Sequence, residues 1–154
     1  MGQKFTQRIK TTHIAIELMD RYFLNKDIQS SERASQLTAR RMTILLTTCF
    51  LIASKYDEID DHLVFINDVQ RYYQRIPQYS TQSPSYTDIV ESERMLMKFF
   101  EWDLGFVLPI HYVEIFLANG VLFESETHAS IKKNKDTALS ISKKSYEVLD
   151  EMIR

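Results

Sequence analysis

The stretch Met42-Thr43-Ile44-Leu45-Leu46-Thr47-Thr48-Cys49-Phe50-Leu51-Ile52-Ala53-Ser54 carries no charge, and only threonines and one serine interrupt its apolar run. A helix built from it is hydrophobic nearly all round, the pattern of a helix wrapped by other helices. It is too short to cross a membrane, which takes about 20 apolar residues. Arg40 and Arg41 mark its entrance and Lys55-Tyr56-Asp57-Glu58 its exit, which predicts a central buried helix over about 40–56. The rest of the chain reads as shorter amphipathic helices laid around it.

Composition agrees with an all-α fold. The chain has 154 residues, enough for one domain with a real core. It is 44% hydrophobic and 12% aromatic, and its three glycines and three prolines are too few for an all-β fold. A net charge of -2 gives no electrostatic case for nucleic-acid binding. Cys49 is the single cysteine, so no internal disulfide is possible. Its place in the most apolar run predicts a buried reduced thiol in an intracellular protein, nuclear or cytoplasmic. The polar N-terminus carries no secretory signal, and no stretch reads as a transmembrane segment.

Outward from the centre, Thr11 to Phe23 carries two apolar rows at four-residue steps, Ile14/Leu18/Tyr22 and Ala15/Met19/Phe23, which predict one helix with a buried face. Ser30 and Ser31, followed by Glu32, are expected to cap a segment carrying Ala34 and Leu37 into the central run. A short helix is expected over Leu63 to Tyr73, then a loop from Gln74 to Pro84. Thr87 is the expected N-cap of a helix running to Trp102-Asp103-Leu104, with Gly105 as its terminator. Pro109 opens another amphipathic segment that Asn119-Gly120 closes, and a last helix is expected around Ala138 to Met152.

The chain offers no catalytic constellation and no cofactor motif. His13, His62, His111 and His128 fall one per segment without a second ligand at metal-binding spacing. Glycine-rich phosphate loops, a nucleophile elbow and a Cys-His motif are all missing from the sequence. Asp57, Glu58, Asp60 and Asp61 lack the glycine and closing glutamate of a calcium loop, so they read as a solvated helix end. Met1-Gly2-Gln3-Lys4-Phe5-Thr6 fits the N-myristoylation pattern at Gly2, with Lys4, Arg8 and Lys10 as a basic second signal, and its competing reading is an ordinary start with Phe5 and Ile9 packed on the first helix.

Two charges stand in awkward places. Lys55 shares a surface with Leu51 and Ile52, and Glu93 lies in the row of Ile89, Leu96 and Met97. Charges on apolar rows are costly unless paired. Either they pair internally or reach water, or they edge a groove that waits for a second protein's helix end and backbone carbonyls.

Met19-Asp20-Arg21-Tyr22-Phe23, then Leu51-Ile52-Ala53-Ser54-Lys55-Tyr56-Asp57-Glu58, then Tyr86-Thr87, then Glu93-Arg94-Met95-Leu96 leading to Trp102-Asp103-Leu104, together resemble the cyclin box in order and spacing. The resemblance implies a five-helix domain centred on the Met42-to-Ser54 run. It implies that Lys55 and Glu93, with Tyr56 and Glu58 beside them, contact the C-helix region of a cyclin-dependent protein kinase. Asp20, Arg21 and Trp102 take structural roles in it. Against the family pattern, the first box helix, with the Arg that pairs with the residue matching Asp20, is expected to be absent, as is most of the second box. The expected layout is a cyclin-box-like domain over 1–105, short at its N-terminus, and an incomplete second-box-like helical extension over 106–154. The expected function is a non-enzymatic regulatory subunit that binds and activates or positions such a kinase. The alternative is a structural subunit with a cyclin fold, built among the neighbouring subunits of a larger complex.

Overall fold

A computed structural model describes residues 5, 7–25, 38–77, 79, 81, 83–105, 107–119, 140, 143–149 and 151. Its regular elements are helical, in the order α1 (Ile9–Leu24), α2 (Ala39–Asp57), a short 3-10 turn (Asp60–His62), α3 (Ile66–Gln74), α4 (Tyr86–Phe99) and α5 (Pro109–Asn119). The fold is all-α. The chain divides into two compact units, Met1–Gly105 and Phe106–Arg154.

In the first unit α2 is the centre, and α1 and α4 both pack on it. Every residue from Thr47 to Ser54 is buried, because no charge on that stretch demands water. Its hydroxyls are satisfied locally: Thr48 Oγ1 donates to the Ile44 carbonyl at 2.8 Å, and Thr47 Oγ1 lies 3.1 Å from the Tyr73 hydroxyl in the interior. The Val64 N–H donates to Ser54 Oγ at 3.2 Å, which returns the chain to the core after α2. Thr38 caps the start of α2 by accepting from the Arg41 N–H. From α1 the row Ile14/Leu18/Tyr22 is buried as its spacing predicts, together with Ala15.

Several expectations need correction. The N-cap of α4 is Ser85, two residues before the expected Thr87: Ser85 Oγ accepts from the Asp88 N–H at 3.1 Å, and Asp88 Oδ2 accepts from the Ser85 N–H at 2.9 Å. This reciprocal pair satisfies two donors at once, which Thr87 does not. Nor does Gly105 end α4. The helix stops at Phe99, and Glu101 (φ 53°) and Trp102 (φ 63°) take the left-handed turn that glycine usually supplies. The Trp102 N–H donates to the Met97 carbonyl at 2.9 Å and the Glu101 N–H to the Lys98 carbonyl at 3.1 Å, the two bonds of a Schellman cap. Phe5 packs against Phe50 and Tyr72, with ring centroids 6.1 and 5.7 Å away, rather than on α1. Gly2 and the expected helix from Ser30 to Leu37 lie outside the described residues, whereas residues 140, 143–149 and 151 of the expected last helix are described and are helical.

In the second unit α5 begins at Pro109, where a proline lacks nothing that a first helical residue needs. Its Tyr112, Ile115 and Phe116 are exposed. Among the described residues no helix is long and apolar enough to cross a membrane, and no group of three or more His, Cys, Asp or Glu side chains could hold a metal ion.

Candidate partner-binding groove

Between the last turns of α2 and the middle of α4 lies an open groove of about 470 Å³. Ile52 from α2, Val90 and Met97 from α4, and Leu104 beyond it line the groove with apolar surface. Lys55, Tyr56, Glu93, Arg94 and Trp102 complete it. Helical spacing places Ile52 and Tyr56 one turn apart on α2, and Val90, Glu93 and Met97 on one stripe of α4.

Lys55 and Glu93 meet across this groove: Lys55 Nζ donates to Glu93 Oε1 at 2.5 Å. Their side chains are 52% and 25% exposed. A pair this wet contributes at most about 1 kcal/mol to the fold, since water competes for both charges. The expected internal pairing and the expected position at a groove edge therefore coexist in one geometry. Tyr56 stands beside them, exposed.

Glu58 is placed differently. Its side chain is only 2% exposed and Asp57 only 7%, so this half of the acidic cluster is not a solvated helix end. The Thr11 hydroxyl sits 2.5 Å from Glu58 Oε1 and 3.0 Å from Asp57 Oδ2, and its one proton serves the nearer carboxylate. The Arg8 N–H donates to Glu58 Oε1 at 2.8 Å, its guanidinium reaches Glu58 Oε2 at 3.2 Å and Asp57 Oδ2 at 3.3 Å, and Lys10 Nζ approaches Asp57 Oδ1 at 3.4 Å. Burial pushes the Glu58 carboxyl up, but the Thr11 and Arg8 hydrogen bonds and the Arg8 charge together hold it below its ordinary value. This clasp pins the end of α2, so Lys55 and Tyr56 are presented from a fixed last turn. Asp60 and Asp61 remain exposed.

Among the three residues expected to be structural, Arg21 is engaged in the fold: its guanidinium lies 5.1 Å above the Phe100 ring and donates to the Asp103 carbonyl at 3.3 Å. Asp20 is exposed. Trp102 is 74% exposed, because the left-handed backbone of the Schellman cap turns it away from the core and onto the groove. The clasp residues Arg8, Thr11 and Asp57 and the groove residues Val90 and Met97 escaped the sequence reading. The clasp joins positions about fifty residues apart and leaves no local signal, whereas Met97 was visible only as a member of an apolar row.

A central helix with an uncharged middle stretch, wrapped by amphipathic helices and bordered by a Lys-Glu pair on an apolar groove, defines an all-helical domain. The family model of the cyclin N-terminal domain matches residues 1–105, and the chain belongs to the cyclin family. A cyclin-J-like protein of Mus musculus is 24% identical over 105 residues, 68% of this chain and 24% of that protein. The chain spans about a quarter of the length of that curated relative. No solved structure matches the chain significantly. Membership of the family suggests a cyclin-like regulatory role.

Proposed function

We propose that the groove between α2 and α4 receives a helix of a cyclin-dependent protein kinase and that the chain regulates that kinase by holding the helix in its active position. The observation that carries this reading is the half-exposed Lys55–Glu93 pair on an apolar groove. Apolar side chains of the incoming helix cover Ile52, Val90 and Met97. The Lys55 ammonium then exchanges its water for backbone carbonyls at the helix end, and Glu93 accepts from the partner's donors. The effect on the kinase is a population shift: the chain binds the active arrangement better than the inactive one and supplies no chemistry of its own. Tyr56 joins the contact, whereas Glu58 is committed to the clasp and takes no direct part.

Co-purification with a cyclin-dependent kinase tests the reading. Lys55→Ala and Glu93→Ala are each expected to abolish association while altering stability by less than about 1 kcal/mol in a thermal melt. Retained association overturns the proposal. Unfolding of either variant would mean that the pair serves the fold instead. The second reading, a structural subunit of a larger assembly, is favoured by α5, which leaves Tyr112, Ile115 and Phe116 exposed at 54%, 52% and 52%. Recovery of the native protein in a large kinase-free complex would select it.

A further inference from the structure

A second concave surface shares no residue with the groove. It lies at the end of α3, has a volume of about 530 Å³, and is lined by Phe5, Asp68, Arg71, Tyr72, Arg75 and Ile76. Arg71 is on the last turn of α3, and Arg75 continues the helical backbone as its C-cap (φ -79°, ψ -12°), so the two guanidinium groups rise from one face of the helix end. Like charges at this spacing repel. Among the described residues only Asp68 offsets them: it stands 3.8 Å from Arg71, with side chains 39% and 70% exposed, and Arg75 has no ion-pair partner there. The negative end of the helix dipole explains why cations sit here, but not why they border a cavity with an aromatic wall. That wall is Phe5 and Tyr72, 5.7 Å apart at 57°, with Ile76 beside them. In a chain of net charge -2 this is a local reversal of sign, not a general property of the surface.

We infer that this cavity is a docking site for a short acidic-apolar peptide segment of a partner protein. Charge complementarity names the occupant: a carboxylate bridges Arg71 and Arg75 through charge-assisted hydrogen bonds, and a neighbouring apolar side chain enters between Phe5, Tyr72 and Ile76. An isolated inorganic anion satisfies the arginines and leaves the aromatic wall in water, so the peptide is the better fit.

The test uses the full chain and a fluorescein-labelled heptapeptide of alternating glutamate and phenylalanine, read by fluorescence anisotropy. The peptide with glutamine in place of glutamate is expected to bind about ten-fold more weakly, as is the glutamate peptide to Arg71→Gln or Arg75→Gln. Both arginines are exposed, so these variants keep the melting temperature of the parent. Lys55→Ala is expected to bind the peptide unchanged, which separates this site from the kinase groove. Equal binding of the two peptides, or unaltered binding by the arginine variants, overturns the inference. Displacement of the peptide by millimolar inorganic phosphate as effectively as by unlabelled peptide also overturns it, leaving a simple anion site.

Discussion

Glu58 shows how one side chain couples the start of the chain to the end of the central helix. Its carboxylate is held below the ordinary range in the folded protein, so it binds a proton less readily there than in the unfolded chain. Its stabilising contribution is therefore present above the unfolded value of about 4.3 and is lost as pH falls through the lower folded value. Thr11→Ala removes the hydroxyl donor from a carboxylate that is 2% exposed and is expected to cost about 1–2 kcal/mol at neutral pH. In urea unfolding from pH 7 to pH 3, the gap between Thr11→Ala and the parent is expected to narrow as pH falls. A gap independent of pH would mean that Thr11 acts by packing alone. Cys49 makes the opposite point, since burial alone pushes its thiol up to about 12. It is expected to stay unlabelled by a thiol reagent at pH 8 until the protein is denatured, and rapid labelling of the native protein would show that α2 is open to solvent.

At the scale of elements, α2 was legible because an uncharged run leaves few alternatives to burial, and α1 because its apolar rows recur every four residues. The ends of α4 were less so. Ser85 and Thr87 are both good caps, and only the reciprocal bond with Asp88 decides between them. At the other end, Gly105 looked like the terminator because glycine favours the left-handed turn, yet Glu101 and Trp102 adopt it at their own expense. Lys55 and Glu93 were visible as misplaced charges, but their meeting across a groove depends on how α2 and α4 approach each other, which no local pattern encodes. The left-handed backbone at Glu101 predicts that Glu101→Gly stabilises the domain by about 1 kcal/mol, seen as a higher melting temperature. A lower one would show that the Glu101 side chain contributes more than its backbone strain costs.

At the scale of the molecule, the family match and the first compact unit cover the same residues, 1–105. Within that unit the aromatic part of the interior is built from phenylalanine and tyrosine side chains, while the chain's one tryptophan is 74% exposed on the groove. This inverts the usual optics of a folded domain. Indole emission is red-shifted in water and moves to the blue in an apolar surrounding, so Trp102, 74% exposed, is expected to emit as a solvated fluorophore in the native state. Unfolding in urea is expected to move its emission little, whereas titration with a purified cyclin-dependent kinase is expected to shift it to the blue. A larger shift on unfolding than on titration would place Trp102 in a sheltered position and remove it from the contact. If the proposed docking holds, the exposed indole makes the protein its own spectroscopic gauge of that docking, with an emission expected to respond to a partner and hardly to melting.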